Sequence, residues 1–381
     1  MHARADDALE QRLAQVLADA ITAQVCSAAA AACGEGEPDD RRARTWYAGR
    51  TRAWPTPGPP IVPASPFDLA SLTKPMATAL VAMRLVTDGR LDLDARAARW
   101  LPALPPSITI AHLLGHASGL PGHRELFRRI WAGDLGGAGD PRAALVAMAA
   151  ATPPERAPGE ATDYSDLGYV VLGAALEAIG GAPLEALTAD AHRALGLEAT
   201  TFVDLRPPHA AAPVVFAAPP VATEHDARRG LVAGEVHDEN CHAAGGIAGH
   251  AGLFAPLADV ARFAALLASA PRTGAPGIGA SVAARFFTSA AAPATSWRLG
   301  WDTPSARPGV SHAGDAWPRA AAVGHLGFTG TSLWLDWARG RWCVLLSNRV
   351  HPDRARPEAA GIKQLRRTVG DLAWALLERG S

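Results

Sequence analysis

The apolar positions near the start of the chain repeat with the period of an α-helix. This spacing predicts an amphipathic helix over residues 6–24, and its apolar face consists of Leu9, Leu13, Val16, Leu17, Ala20 and Ile21. Residues 25–32 (VCSAAAAA) are rich in alanine, which favours a helix. A turn-forming stretch (GEGEPDD) and a strand-like segment (ARTWYAGR) follow, so we predict a β-hairpin here instead.

Helical patterns dominate the middle of the chain. Residues 72–88 read as a helix with Pro75 in its first turn, where proline is tolerated, and it stops at Gly89. Further predicted helices, separated by loops rich in Pro and Gly, are 143–151, 166–180, 183–195 and 256–269. Residues 52–65 predict a loop, and 205–222 contain too many prolines for regular structure.

The last eighty residues have a different pattern. TSLWLD (331–336) and RWCVLLSN (341–348) flank the turn WARG and predict a β-hairpin, and a helix follows over about 358–378. Strands at both ends predict an α/β (α+β) fold in which the terminal helices flank one antiparallel sheet. The predicted domains are a discontinuous sheet domain, 1–70 with 301–381, and an inserted, mainly helical domain, 71–300.

Composition excludes several function classes. The 381 residues carry a net charge of −1, so no basic surface for nucleic acid is expected. No stretch reaches the roughly 18 apolar residues of a membrane span. Asp6, Asp7, Glu10 and Asp19 interrupt any signal-peptide core. We therefore expect a cytoplasmic protein, or a periplasmic one if a leader was trimmed. The sequence does not indicate an oligomeric state.

The use of lysine is unusual. Among 36 basic residues only Lys74 and Lys363 are lysines. Arginine serves surface ion pairing at least as well as lysine does, but it cannot lose its proton in a protein. A lysine retained at position 74 therefore favours a role that needs a deprotonated amine. The chance survival of a lysine at this position is the alternative.

Ser71 and Lys74 form the first candidate site. A serine at a helix N-terminus, followed three residues later by lysine, places both side chains on one face. Free N–H groups there favour negative charge on the serine oxygen, and a desolvated, neutral lysine can accept the hydroxyl proton. An N-cap serine with a solvated lysine is the alternative for this motif taken alone.

Two later segments support the catalytic interpretation. PGEATDYSDLGY (158–169) contains Tyr164, whose phenol can relay a proton beside a lysine. GHLGFTG (324–330) contains His325, which ordinarily titrates near neutrality, and glycines that let a backbone N–H reach an oxyanion. The alternatives are a packed tyrosine in an ordinary loop and a buried, hydrogen-bonded histidine.

The order of these motifs resembles the serine β-lactamase and penicillin-binding-protein superfamily. The similar segments are FDLASLTKP, ITIAHLLGHASGL (108–120), PGEATDYSDLGYVVLG, GEVHDENCHAAGGIAGHAGLF (234–254) and GHLGFTGTSLW with LLSNRVHP. Within that superfamily the chain is most similar to class C β-lactamase-related esterases and D-alanyl-D-alanine carboxypeptidase-like proteins. The resemblance implies a β-lactamase/transpeptidase-like fold with the active site between the two domains.

The same resemblance implies a role for each motif. Ser71 would be the nucleophile, with Lys74 and Tyr164 as proton-transfer groups. His325 would replace the lysine of the family's Lys-Thr-Gly strand, whose glycine corresponds to Gly327. The N–H groups of Ser71 and Phe328 would form the oxyanion hole.

Two departures from the family pattern bear on the substrate. Asp166 stands where the family has the asparagine of Tyr-x-Asn, and an ionised aspartate cannot donate a hydrogen bond. His-Leu-Gly in place of Lys-Thr-Gly removes two donors for a substrate carboxylate. We therefore expect a small-molecule acyl substrate without a cofactor, and favour esters over β-lactams or D-Ala-D-Ala peptides. Thr329, Thr331 or an arginine would be able to restore carboxylate binding.

Three rival interpretations remain. His237, Cys241 and His242 are close enough in sequence to suggest zinc, but their spacing matches no standard motif. We expect no metal, and expect residues 237–242 to form a loop at the rim of the pocket with Asn240 as a polar contact. A non-catalytic binding protein on the same fold is the second rival. A Ser-His-Asp hydrolase is the third, although the chain has no GxSxG motif.

Overall fold

The structure is a computed structural model that describes residues 2–36, 43–206 and 214–379. Its helices are α1 (His2–Thr22), α2 (Leu80–Thr87), α3 (Ile110–Leu114), α4 (Phe127–Trp131), α5 (Pro141–Ala150), α6 (Asp166–Gly180), α7 (Leu184–Leu195), α8 (Glu239–Ala243), α9 (Leu257–Thr273), α10 (Ala280–Thr288) and α11 (Ile362–Arg379). Its strands are β1 (Ala28–Glu35), β2 (Arg44–Gly49), β3 (Phe67–Asp68), β4 (Thr201–Phe202), β5 (His225–Asp226), β6 (Gly230–Leu231), β7 (Leu253–Ala255), β8 (Ala322–Leu326), β9 (Ser332–Asp336) and β10 (Arg341–Ser347).

The main sheet joins both ends of the chain. Its five strands are antiparallel in the order β2-β1-β10-β9-β8. The alanine-rich segment forms β1 in the sheet interior, where Ala30 lies opposite Leu346 and Cys33 opposite Cys343. The predicted hairpin is therefore confirmed, although alanine favours a helix. Small side chains suit a strand that is covered on both faces. Part of the turn between β1 and β2 lies outside the described residues.

Alternating residues of the sheet belong to two separate cores. One face carries Ala29, Ala31 and Leu345, which pack beneath the terminal helices α1 and α11. The opposite face carries Ala30 and Val344, which belong to the larger core shared with the helical part of the chain. This two-sided burial follows from the period of two along a strand. It confirms the expected fold class, an antiparallel sheet flanked by the terminal helices.

The predicted helices and hairpins are present with small shifts at their ends. The segment predicted as one helix over 72–88 is a 3₁₀ turn (Ala70–Leu72), a π-helical stretch (Lys74–Ala79) and α2. It ends before Gly89, which has a φ of +67°. The proline-rich stretch 205–222 lacks helix and strand where it is described, and residues 207–213 lie outside the described part.

The boundaries of the two predicted domains remain predictions. Helix α9 belongs by sequence to the predicted helical domain, yet it packs against β1, β9 and β10 of the sheet. No single helix among the described residues is long and apolar enough to cross a membrane. By length and composition alone, the bent pair α6 and α7 passes that test together.

Asn348, directly after β10, holds the start of β1 and yields a test of the fold. Its buried side-chain oxygen accepts from the N–H groups of Ser27 and Ala28 at 3.0 and 2.9 Å, and its nitrogen donates to the Ala222 carbonyl at 2.7 Å. We expect Asn348→Ala to lower the free energy of unfolding by about 2–4 kcal/mol, because each buried group left unpaired costs roughly 1–3 kcal/mol.

Urea unfolding would measure this loss. The neighbouring Ser347 supplies the matched control, since its buried hydroxyl has no hydrogen-bond partner among the described residues. Ser347→Ala should leave stability unchanged or raise it slightly. Equal stabilities for the two variants would contradict the role assigned to Asn348.

Candidate active site

Ser71 lies in the 3₁₀ turn that follows strand β3. The preceding residue, Ala70, has a φ of +47°, which is strained for a residue other than glycine. Its N–H donates to the buried Asp68 carboxylate at 2.7 Å, and Asp68 also accepts from the His237 N–H at 2.7 Å. Such strain persists only where surrounding contacts hold it. These contacts place Ser71 at the wall of a cleft.

Lys74 begins the π-helical stretch and is completely buried. Pro75 occupies the first turn of this stretch, where its missing N–H leaves no helical hydrogen bond unmade. The Lys74 amine donates to Ser71 Oγ at 3.0 Å, to Asp166 Oδ1 at 2.7 Å and to the His250 carbonyl at 3.3 Å. All three ammonium protons therefore have an acceptor, which compensates for the burial of the charge.

Asp166 keeps Lys74 protonated in the free protein. Burial alone lowers the pKa of Lys74, but the Asp166 carboxylate and the Tyr164 hydroxyl outweigh it and raise that pKa above its usual value. This differs from the neutral amine expected from the sequence. The reason is a contact between residues 92 positions apart, which motif spacing does not reveal.

Tyr164 lies beside this ion pair, just before helix α6. Its ring centre is 4.7 Å from the Lys74 amine, and 37% of its surface is exposed. The hydroxyl end of the ring lies against Lys74 and Ser71, and its burial raises the pKa of Tyr164 above the usual value, although Lys74 opposes the rise. The phenol is therefore neutral in the free protein.

His116 supports the segment that contains Tyr164, and the sequence analysis gave it no role. Its buried Nδ1 accepts from the Ser165 N–H at 3.0 Å, and its ring lies 4.5 Å from the Tyr164 ring. Burial and the charge of Lys74 hold the pKa of His116 far below its usual value. No sequence pattern reveals this role, because it depends on a contact between residues 49 positions apart.

His325 stands on edge strand β8 and is buried. Its Nδ1 lies 2.9 Å from the Leu326 carbonyl, so it carries the proton and leaves Nε2 as an acceptor. Burial and the charge of Lys74 lower the pKa of His325 to about 3. Its imidazole is neutral at physiological pH and does not replace the positive charge of the family's lysine.

The turn after β8 is attached to the backbone just before Ser71. Thr329 Oγ1 donates to the Asp68 carbonyl at 2.8 Å, and Thr331 Oγ1 donates to the Leu69 carbonyl at 3.1 Å. A Cβ on Gly327 would lie 2.6 Å from the Leu69 carbonyl oxygen, so the approach requires glycine. Among the described residues, no acceptor pairs with the N–H of Phe328 or of Ser71. Both N–H groups are thus available to a ligand.

A cleft of about 670 Å³ contains most of the predicted site residues. Ser71, Tyr164, Asp166, His325, Gly327 and Phe328 line it. Cationic residues that the sequence analysis did not single out, Arg349, Arg354, Lys363 and Arg366, line it as well. Arg354 is paired with Glu224 and Glu239. No described carboxylate forms an ion pair with the other three.

Asn240 is separated from this group. Its side chain is buried, accepts from the Phe127 N–H at 2.8 Å and donates to the Arg124 carbonyl at 2.9 Å. Both ends of the amide are therefore occupied, and the geometry gives no support to a contact with substrate. The predicted position of segment 237–242 at the cleft is confirmed for His237, Asp238 and Glu239, which line it. The predicted loop is wrong from residue 239 onwards, because Glu239–Ala243 form helix α8 with Asp238 as its N-cap.

The histidines of this segment pair with different carboxylates. His237 contacts Glu224 at 2.8 Å and His242 contacts Glu235 at 3.5 Å. Within the described ranges, no three His, Cys, Asp or Glu side chains are grouped in a way that would hold a metal ion.

The chain is similar to several known proteins. A protein of Escherichia coli K12 with the provisional name D-alanyl-D-alanine carboxypeptidase is 28% identical over 310 residues, which cover 77% of this chain and 71% of the relative. The solved structure of EstCE1, a hydrolase with promiscuous acyltransferase activity, superposes with a TM-score of 0.69 at 21% identity and covers 97% and 99% of the two chains. The octameric penicillin-binding-protein homologue from Pyrococcus abyssi gives 0.66 at 18% identity and covers 93% and 76%.

The family assignment rests on a match along most of the chain. The family model described as Beta-lactamase matches residues 13–366, which include every predicted site residue. The mixed fold with its antiparallel sheet agrees with that match, as do the superposed structures. The chain belongs to the β-lactamase family and is a hydrolase with the serine β-lactamase fold.

Proposed function

We propose that the protein is a serine hydrolase that forms an acyl-enzyme on Ser71 and cleaves esters in preference to amides. The observation that carries the proposal is the 3.0 Å contact between Ser71 Oγ and the only buried lysine amine of the described chain, at the wall of an open cleft. Ser71 attacks the acyl carbon, and the N–H groups of Ser71 and Phe328 bind the resulting oxyanion.

The proton transfer needs a change of charge state at the site. The Lys74 amine lies 3.0 Å from Ser71 Oγ, but in the free protein it is an ammonium ion paired with Asp166 and cannot accept the Ser71 proton. Lys74 becomes a base only after its ammonium group has lost a proton. A neutral Tyr164 must likewise lose its hydroxyl proton before it can act as the base. Activity should therefore increase with pH up to the pKa of the group that acts as base.

The preference for esters rests on two donors of the family's Lys-Thr-Gly strand that the corresponding strand of this chain lacks. His325 is neutral, and the hydroxyls of Thr329 and Thr331 already donate to backbone carbonyls. These threonines are therefore not available to bind a substrate carboxylate as the sequence analysis allowed.

A D-alanyl-D-alanine carboxypeptidase or a β-lactamase is the second candidate. Arg349 and Lys363 line the cleft without a described carboxylate partner, and they would bind the free carboxylate of such substrates. The provisional name of the E. coli relative agrees with this alternative. A binding protein without turnover on the same fold is the third.

Ser71→Ala tests the acyl-enzyme directly. With a short-chain p-nitrophenyl ester we expect the release of p-nitrophenol to decrease about a thousandfold or more, because no other group can form the covalent intermediate. Intact-protein mass spectrometry should find a bound acyl group on the wild-type protein alone, and equal melting temperatures would show that the variant is folded.

The outcomes separate the three candidates. Undiminished hydrolysis by the variant would refute the role of Ser71. Competitive inhibition of the wild-type protein by penicillin would favour the carboxypeptidase-like pocket. Failure of both proteins on esters, penicillin and D-Ala-D-Ala peptides would favour the binding protein.

Asp166→Asn tests the ion pair through the pH dependence of kcat. Removing the carboxylate lowers the pKa of Lys74 and that of Tyr164, because Asp166 raises both. The increase of kcat with pH should therefore move to lower pH by about one unit or more, whichever group is the base. The matched control is Asp163→Asn, which removes an exposed carboxylate paired with Arg156 and should leave the profile in place. An unchanged midpoint in Asp166→Asn would contradict the proposed charge state.

A further inference from the structure

Arg366 is a buried cation that no carboxylate of the described residues neutralises. It lies on helix α11 with 7% of its surface exposed. One of its terminal nitrogens donates to the Gly327 carbonyl at 2.7 Å and to the Thr331 carbonyl at 2.8 Å. No described carboxylate forms an ion pair with it, and its Nε is buried without a partner. Burial and the neighbouring Arg349 lower the pKa of Arg366 to about 9, which still leaves it charged at neutral pH.

The turn after β8 does not need Arg366 to satisfy its backbone. The Gly330 N–H already donates to the Gly327 carbonyl at 3.1 Å, and the Gly327 N–H donates to the Thr331 carbonyl at 2.8 Å. Thr329 and Thr331 attach the turn to the segment before Ser71. A buried charge without a counterion disfavours folding, and apolar replacements of buried ions are often tolerated. Stability therefore does not explain a guanidinium here.

The position of Arg366 beside the Gly327–Phe328 peptide group explains the buried guanidinium. The Gly327 carbonyl and the Phe328 N–H belong to the same planar, conjugated unit. A cation that donates to the carbonyl oxygen draws electron density towards it and makes the N–H a stronger donor, since linked hydrogen bonds polarise one another. The Phe328 N–H has no described acceptor and is the proposed oxyanion donor.

We infer that Arg366 is a positioning residue that acts through the Gly327–Phe328 peptide group to strengthen the oxyanion hole. The inference rests on the proposed function. When Ser71 Oγ bonds to the acyl carbon, the π electrons of the carbonyl move to its oxygen, and the hydroxyl proton passes to the deprotonated base of the site. The oxyanion accepts from the Phe328 N–H while Arg366 polarises that group. Collapse reforms the carbonyl and expels the leaving group, which takes up the proton.

Arg366→Met tests the inference because it keeps the length of the side chain and removes the charge. With the p-nitrophenyl ester we expect kcat to fall about tenfold, less than the roughly hundredfold or greater loss when an oxyanion donor itself is removed. KM should change less than twofold, and the melting temperature should not decrease. Arg366→Lys, which keeps the charge without the planar fork, should have an intermediate kcat.

Arg367→Met is the matched control. Arg367 is the next residue on α11 and pairs with Asp315 at 3.2 Å, so its replacement removes the same charge from the same helix. It should leave kcat unchanged. A boronic acid inhibitor, which forms a tetrahedral anion on the serine, should bind about tenfold more weakly to Arg366→Met than to Arg367→Met. The product acid should bind equally to both variants.

A measurement without turnover separates this inference from the proposed function. In protein labelled with ¹⁵N-phenylalanine, which has nine such residues, the amide proton signal of Phe328 should move upfield in Arg366→Met and stay in place in Arg367→Met. Replacement of Phe328 by leucine would assign the signal.

The possible results lead to different conclusions. A wild-type protein without Ser71-dependent hydrolysis would refute the proposed function, whereas the Phe328 signal would still report whether Arg366 polarises the peptide group. An unmoved signal would refute the inference even if hydrolysis depends on Ser71. A decrease in kcat that is accompanied by an equal change in KM and a lower melting temperature would also refute it, since it would indicate a structural role.

Discussion

The arrangement of the cleft depends on the burial of the Lys74 ammonium ion. A charge removed from water is tolerated only with close partners, and Lys74 has Ser71, Asp166 and the His250 carbonyl around its amine. Those partners come from the 3₁₀ turn before the π-helical stretch, from α6 and from the segment before β7. The need to surround one charge thus joins three separate parts of the chain. Burial together with this charge lowers the pKa of His116 and His325, so both imidazole rings stay neutral.

The second constraint is the close contact of two backbone segments. The turn after β8 approaches the residues before Ser71 so closely that position 327 admits only glycine. Two threonine hydroxyls attach the turn there, and two unpaired N–H groups result on the same wall of the cleft. Arg366 and Asp166 have different surroundings in this arrangement. The buried Arg366 cation lies beside a neutral peptide group, whereas the Asp166 carboxylate neutralises the buried Lys74 cation.

The sequence was sufficient for the elements and the family because both depend on local patterns. Apolar periodicity located α1, α6, α7 and α11, and turn residues located the hairpin β9–β10. The order of Ser71-x-x-Lys74, Tyr164 and His325 indicated the superfamily. The sequence also contains an indication that Arg366 is unusual. Arg366 shares the apolar face of α11 with Ile362, Val369 and Ala373, and a charged residue is not expected on such a face.

Only the tertiary structure decided the charge states and the contacts at the site. The pKa values of Lys74 and Tyr164 depend on burial and on Asp166, which lies 92 residues from Lys74 along the chain. The same long-range packing directed the Asn240 amide to the backbone of residues 124 and 127, away from the cleft. Sequence patterns report which residues share a helix face or a strand. They do not report distances between elements, and the strength of an electrostatic interaction depends on those distances and on the exclusion of water.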